Sequence, residues 1–469
     1  MKTDSVNVRE LALEALLSVS RGEAYSHVVI GGMLDKYDYL GVQEKAFFKC
    51  LTEGTLERRI QIDYCIDAFS KTPVRKMKLL IRELLRMSVY QLLFMDGVPD
   101  SAVCNEAVKL AEHRSFRSLK GFVNGVLRSI CREKDNISWP DREENEAVFL
   151  SVRYSMPQWL VEKWQQEQGS EKTEKILQGL LEKRPVTVRL RQDIREEERE
   201  ACQREIKEEL HARGILVRES KILPYAWNLE KSEGLGGIPS FAAGRFTVQD
   251  VSSMLAVEAA GIRQGDFVMD VCAAPGGKML FAGEKAGSGG SVLARDISFR
   301  RLEQMEENRV RMRADNVTLE QWDAAVLDGA YVGEADVVLA DVPCSGLGVI
   351  GRKRDIKYHA SIETIESLVQ LQRQILSTVW QYVKPGGVLL YSTCTISRAE
   401  NEEMADWFLS QFPFHGEDPR PFLPEGFATQ GGSFTGGEKA AGSPYIQLLP
   451  GVHDTDGFFL ARFVRDKKV

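Results

Sequence analysis

Between residues 265 and 464, short apolar runs alternate with longer amphipathic stretches, and this alternation restricts the fold more than any other feature of the 469-residue chain. The runs Phe267–Cys272, Ser291–Arg295, Val317–Gln321, Val337–Asp341 and Val388–Ser392 read as strands. The stretches 278–286, 298–313, 361–383 and 399–410 read as helices between and after them. Such repetition predicts an α/β domain with a mostly parallel sheet covered by helices on both faces. Two last runs, Tyr445–Leu449 and Phe458–Val464, have no helix between them and predict an antiparallel, hairpin-like edge. Between Pro413 and Pro444, 12 of 32 residues are Gly or Pro, which predicts a long surface loop.

The front of the chain has a different rhythm. Residues 6–131 carry apolar residues at helical spacing, with one face at Val8, Leu11, Leu13, Ala15, Leu16 and Leu17 and another at Ile81, Leu84, Leu85, Val89, Leu92 and Leu93. The charged, Pro-containing stretch 135–146 reads as a linker. Val186–Arg191 alternates at period two, and Ile215–Arg218 follows a charge-dense segment, 194–213, that reads as a helix with a solvated face. Three domains are therefore expected: an all-α domain at 1–135, a small α+β domain at 150–240, and the large α/β domain at 241–469.

Composition narrows the setting. No apolar stretch approaches the roughly 18 residues of a membrane span, and the mean hydropathy is −0.24. Glu10 and Glu14 interrupt the first apolar pattern, so it reads as an amphipathic helix and not as a secretory signal. Eight cysteines without a C-x-x-C pair and six dispersed histidines argue against a metal site, and point to reduced thiols in the cytoplasm. The formal net charge is −7, yet residues 1–135 hold 21 Lys and Arg against 18 Asp and Glu, a slightly basic front. Nothing requires more than a monomer.

Ligands of doubly wound sheets bind at the carboxyl ends of the strands. Those ends carry Cys272, Ala273, Ala274, Pro275, Gly276, Gly277 and Lys278 after the first strand, then Asp296, Asp323, Asp341 and Thr393-Cys394. Gly276 and Gly277 let a ligand approach the backbone closely. Their spacing departs from G-x-G-x-x-G, the usual pyrophosphate cradle, while Asp296 is placed to accept from ribose hydroxyls. Cys344, in Asp341-Val342-Pro343-Cys344-Ser345-Gly346, and Cys394, in Ser392-Thr393-Cys394-Thr395, each precede a hydroxyl residue. Together these features suggest covalent chemistry beside a nucleotide-like cofactor. The other cysteines, Cys50, Cys65, Cys104, Cys131 and Cys202, are expected to be buried packing.

The segments Asp270–Lys278, Asp341–Gly346 and Ser392–Cys394 resemble the signature motifs of RNA cytosine-5 methyltransferases over roughly residues 245–464. The resemblance implies a Rossmann-like class I methyltransferase domain that uses S-adenosylmethionine. It implies that Cys272 to Lys278 line the methionine side of that cofactor, that Asp296 binds its ribose, that Asp323 faces its adenine, and that Asp341 lies between cofactor and cytosine. Gly97–Ala111 and Gly121–Arg128 resemble the NusB family of RNA-binding helical domains. A NusB-like front on such a catalytic domain implies a 16S ribosomal RNA partner, methylated at C5 of one cytidine, conventionally position 967. The same chemistry on another ribosomal or transfer RNA, or a non-catalytic RNA-binding factor, are the alternative readings.

The chemistry accounts for these residue types. Cytosine C5 is a poor nucleophile until a thiolate adds to C6. Charge developing on the ring needs a proton or hydrogen bond at N3 and N4, which Asp341 could supply. A free thiol titrates near pH 8.5, so positive charge at Lys278 or on the cofactor must favour the thiolate. DNA enzymes of this type attack from the Pro-Cys cysteine, which nominates Cys344. The RNA family attacks from Thr-Cys, so the resemblance assigns Cys394 as nucleophile and Cys344 to product release. Val342 stands where the family commonly has Ala. Arg354 stands where it commonly has Pro, so the run Arg352-Lys353-Arg354 is expected to contact RNA phosphate.

Overall fold

Asn7 starts the first helix, Val8–Ser20, by accepting the Arg9 and Glu10 N–H groups on its side chain. In the computed structural model, which describes residues 6–232, 234–428 and 442–467, that helix belongs to the first of two units, formed by residues 1–181 with 350–359. Seven α-helices lie between Val8 and Glu133, and three more follow at Glu146–Tyr154, Gln158–Gln168 and Ser170–Leu181. The helix Leu79–Phe94 is buried along most of its length. It brings Arg86 inside, where the guanidinium binds Asp63 at 2.6 and 2.7 Å and Glu83 at 2.6 Å. Burial works against this cation, but the two carboxylates outweigh it and raise its pKa.

Residues 350–359 complete this unit from far along the chain. Tyr25 supplies no capping side chain for the helix Ser26–Lys36. The buried Asp355 caps it instead, accepting from the Ser26 backbone N–H at 2.7 Å and the Ser26 hydroxyl at 2.6 Å. Buried Lys357 donates to the carbonyls of Glu57 (2.8 Å) and Ser155 (2.6 Å), at the carboxyl ends of helices Val42–Glu57 and Glu146–Tyr154. Burial brings its ammonium down to about 7, and a neutral amine still has two N–H groups for two carbonyls. The Tyr358 hydroxyl donates to Leu56 O at 2.7 Å. Arg354 pairs with Glu57 at 2.8 Å. This corrects the expected phosphate contact for Arg354, whose charge turns inward; Arg352 and Lys353 are exposed.

The second unit comprises residues 182–349 and 360–469. It opens with an antiparallel sheet of β1 (Val186–Leu190), β2 (Leu216–Glu219), β3 (Ala226–Glu230) and β4 (Phe246–Val248), in the order β2-β3-β1-β4. The sequence reading found β1 and β2 but not the two strands flanking β1. The helix Glu196–Ala212 buries only Ile206 and Leu210 and leaves its charges to solvent, as expected of that segment.

The large sheet contains β5 (Phe267–Asp270), β6 (Ser291–Asp296), β7 (Val317–Gln321), β8 (Ala335–Asp341), β9 (Val383–Thr393), β10 (Phe414–Gly416), β11 (Tyr445–Leu448) and β12 (Phe458–Arg465). Their order is β10-β12-β9-β8-β5-β6-β7, with β11 also on β12. Strands β5 to β9 are parallel. Alternate residues feed two cores. Val268, Leu339, Leu390 and Leu460 join one, and Met269, Val338, Leu389 and Phe459 join the other. β11 and β12 pair antiparallel as expected. β12 is not an edge, however: its backbone groups bond to β9 on one side and to β10 and β11 on the other. The expected loop at 413–444 holds β10 and a short helix, Glu425–Ala428, and its residues 429–441 lie outside the described residues.

Replacing Lys357 with Ala should leave two buried helix-end carbonyls unpaired and lower the stability of the helical unit by about 2–3 kcal/mol. A denaturant titration that follows this unit, with an unchanged midpoint, would refute the capping role.

Candidate functional site

The strand order reverses between β5 and β8, each of which has its sequence neighbour on its outer side. Because β5 to β9 are parallel, their carboxyl ends form one continuous rim. Along it stand Asp323 after β7, Asp296 at the end of β6, Asp270 at the end of β5, Asp341 at the end of β8, and Cys394 after β9. The residues singled out from the sequence thus share one edge of one sheet.

On the β5–β6 side the turn Cys272–Gly277 leads into the helix Gly277–Ala286. Asp296 holds the turn by accepting from Ala274 N–H (3.3 Å) and also accepts from Ser298 N–H (2.9 Å). Gly276 sits at φ +103°, and a Cβ there would lie 2.9 Å from Met279 Cε. The positive φ calls for glycine there, since Met279 Cε is the free end of a flexible side chain that can move aside. The exposed Asp323 accepts from Ala325 N–H at 2.9 Å. Asp270 is buried, with no side chain hydrogen-bonded to its carboxyl oxygens; burial pushes it up to about 7, opposed by Lys278. Burial and the neighbouring carboxyls of Asp270, Asp341 and Asp296 push the Cys272 thiol well up, which suits packing and not attack.

This donor set fits a cofactor that carries hydroxyls and positive charge. Asp296 and Asp323 are held through backbone N–H groups, which leaves lone pairs on each carboxylate for ligand hydroxyls or amines.

On the β8–β9 side, Asp341 faces Ser392 across the parallel ladder. One Asp341 oxygen accepts from the Ser392 hydroxyl at 2.9 Å, and the other receives Lys278 Nζ at 2.6 Å. Lys278 also reaches Ser253 Oγ at 3.4 Å. Burial alone would lower the Lys278 pKa, but Asp341 beside it, with Asp270 and Cys394 adding, raises it above the ordinary value, so the ammonium persists. The Cys344 and Cys394 sulfurs lie 3.3 Å apart. The hydrogen bond with Cys394, burial, and the charges of Glu400 and Asp341 hold Cys344 well above the usual thiol range, as a protonated S–H.

The remaining cysteines differ from one another. Cys65 and Cys104 are buried as expected, Cys131 and Cys202 are part-buried, and Cys50 is exposed, so for Cys50 the expectation of burial is corrected.

Sequence reasoning missed the buried polar frame behind the thiols. Glu400 accepts from Ser345 N–H (2.8 Å), Ser345 Oγ (2.5 Å) and Gln372 Nε2 (3.1 Å), and Gln372 also donates to Pro343 O at 3.0 Å. Asn401 accepts from Thr393 Oγ1 (2.6 Å) and donates to Thr395 O (3.0 Å) and Gln447 Oε1 (2.7 Å). The one available signal was position: Glu400 and Asn401 follow the Thr-Cys motif within seven residues.

Comparison with known proteins agrees with this architecture. A family model described as 16S rRNA methyltransferase RsmB/F matches residues 259–464, the NusB family model matches 6–132, and a model of an RsmF/B-like ferredoxin-like domain matches 156–234. A probable ribosomal RNA small subunit methyltransferase B of Bacillus subtilis is 33% identical over 97% of this chain and 98% of its own length. The chain belongs to the RsmB/F methyltransferase family. A Cronobacter sakazakii member, ribosomal RNA small subunit methyltransferase B, is 30% identical over 98% of this chain and 99% of its own. Among solved structures, a methyltransferase homolog protein from Pyrococcus horikoshii gives a TM-score of 0.54 at 25% identity, covering 68% of this chain and 99% of its own. The crystal structure of PH0851 gives 0.77 at 23% identity, over 98% and 99%, a likeness of fold. The family's parts are all present: a NusB-type helical domain, a ferredoxin-like domain and a Rossmann-like methyltransferase domain.

Asp270 supplies a pH test. Its carboxyl titrates near 3.8 unfolded and about 7 folded, so the fold favours the protonated form. Its contribution to stability is complete below about pH 4 and lost as pH rises through about 7. The thermal midpoint of Asp270→Asn, relative to the parent, should climb between those limits and level off above them. An offset that does not vary with pH would contradict a neutral Asp270.

Proposed function

We propose that this protein transfers a methyl group from S-adenosylmethionine to C5 of a cytidine in 16S ribosomal RNA, cytidine 967 in the conventional numbering, through a covalent bond from Cys394 to C6. The observation that carries this reading is the pair of thiols 3.3 Å apart, beside an ammonium–carboxylate pair at the carboxyl ends of adjacent strands. A methyltransferase acting on a good nucleophile has no use for two thiols in this position. One acting on a weakly nucleophilic carbon does.

Cys272 to Lys278, Asp296, Asp323 and Asp341 would hold S-adenosylmethionine, which supplies an electrophilic methyl group when bound. Lys278 carries a persistent positive charge that interacts with Cys394 and favours its thiolate. The Cys394 thiolate adds to C6, and the ring's electron pair moves toward C5 and the N3 side. Asp341 orients the base by accepting from the exocyclic amine, and its contact with Lys278 provides the route for a proton to N3. After methylation at C5, water removes the C5 proton, the C5=C6 bond re-forms, the C6–S bond breaks, and the N3 proton leaves by the Asp341–Lys278 route through which it came. The leaving pair returns to Cys394, where the S–H of Cys344 donates to it. The slightly basic helical front, matched by the NusB family model, supports RNA as the partner.

Cys394→Ala should lower methyl transfer by at least roughly a thousandfold while S-adenosylmethionine binding, measured by calorimetry, is retained; undiminished transfer would sink the reading. Cys344→Ala should accumulate a slow-migrating protein–RNA adduct on a denaturing gel, and the opposite pattern would reverse the two assignments. Bisulfite mapping of ribosomal RNA, with and without the gene, should lose a single 5-methylcytidine. Loss from a transfer RNA would move the substrate there.

A further inference from the structure

Each site cysteine is followed by a hydroxyl residue, and the structure gives those hydroxyls a common purpose. Ser345 Oγ has a single proton, which goes to Glu400 Oε2 at 2.5 Å. Its 2.7 Å contact with Thr395 Oγ1 must therefore use the threonine's proton. The result is a directed chain, Thr395 to Ser345 to Glu400, running from the residue after one cysteine, through the residue after the other, to a buried carboxylate. Glu400 also receives the Ser345 backbone N–H at 2.8 Å. Gln372 ties the same carboxylate to the Pro343 carbonyl. Both residues flanking Cys344 are thus fixed from one point, which lies six residues beyond Cys394 on the same segment and is joined to it again through the Thr395 hydroxyl. The backbone adds a direct tie, Gly348 N–H to Cys394 O at 3.0 Å.

From this arrangement we propose that Glu400 is a positioning residue for product release: it sets the spacing between the Cys344 and Cys394 sulfurs so that the Cys344 S–H can meet the departing Cys394 thiolate. A buried carboxylate in a fold is costly unless it is fully paired. This one is fully buried, and its partners are the residues around the Cys344 loop. Burial raises its pKa, against the hydrogen bonds from Ser345 and Gln372. Its charge also faces Cys344 and helps to keep that thiol protonated, the form that can donate. Asn401 fixes the Cys394 side of the frame through Thr393 and Thr395, and Glu400 is the member that reaches across to the Cys344 loop. The inference rests on the covalent reading above and goes beyond it by naming what controls the second half of the reaction.

The test compares Glu400→Gln, Ser345→Ala and Cys344→Ala in the full-length protein. Glutamine keeps the size of the side chain but turns an N–H₂ toward one of the two Ser345 donors. Glu400→Gln should reduce kcat roughly ten- to a hundredfold, leave KM for RNA within about twofold, and accumulate the same protein–RNA adduct as Cys344→Ala. Ser345→Ala should act in the same direction with a smaller effect, keep the parent's cofactor affinity, and lower the melting midpoint only modestly, since Glu400 keeps its bonds from the Ser345 N–H and Gln372. If Cys344→Ala accumulates adduct while both frame variants turn over without it, the positioning role is overturned and the covalent reading stands. If Glu400→Gln instead loses adduct formation and thermal stability together, and Ser345→Ala behaves as the parent, the residue is a structural support and the inference likewise fails. If Cys344→Ala itself yields no adduct, the covalent reading falls, and this inference with it.

Discussion

The site depends first on the register of two parallel strands. β8 and β9 pair so that Asp341 lies opposite Ser392, and both chains then leave the sheet at the same height. That pairing puts the two cysteine loops side by side without any long-range adjustment. A slip of one residue would exchange the two faces of β9, sending Leu389 and Tyr391 to the core that now receives Val388 and Leu390. Both faces are apolar and closely packed, so the penalty for a slip is large and the register is firmly set. The position of the chemistry is therefore inherited from hydrophobic packing several residues away.

Charge is then distributed unequally over that scaffold. Lys278, paired with Asp341, acts on Cys394, while the carboxylates of Glu400 and Asp341 act on Cys344. Two identical functional groups 3.3 Å apart thus experience different surroundings. An ammonium favours the ionised form of its neighbour, and a carboxylate favours the protonated form of its own.

Much of this was legible in the sequence because it rests on local pattern. The five parallel strands announce themselves as short apolar runs between amphipathic stretches, and the groups on their carboxyl ends follow from topology alone. What escaped was tertiary in origin. Strand β4 is three residues long and β3 mixes Trp and Asn with Leu, so neither stands out from loop. Glu400 lies just ahead of a helix whose first turn is acidic, where a glutamate is ordinarily a solvated dipole partner; its burial is decided by Ser345 and Gln372, which are 55 and 28 positions away. Arg354 and Asp355 sat in a run of charges that resembles exposed loop, and only the helical unit they complete gives them partners.

That last arrangement bears on how the protein is made. The helical unit spans residues 1–181 but takes its final pieces from 350–359, so its helix Ser26–Lys36 has no Asp355 cap while the ribosome is still translating what lies between. At roughly 5–20 residues per second, those intervening residues take on the order of ten to thirty seconds. During that interval the unit is an incomplete body with open helix ends, held in a provisional state until the catalytic half of the chain has begun to emerge. The helical unit, whose larger part is made before residues 182–349, thus closes only after that stretch has been translated.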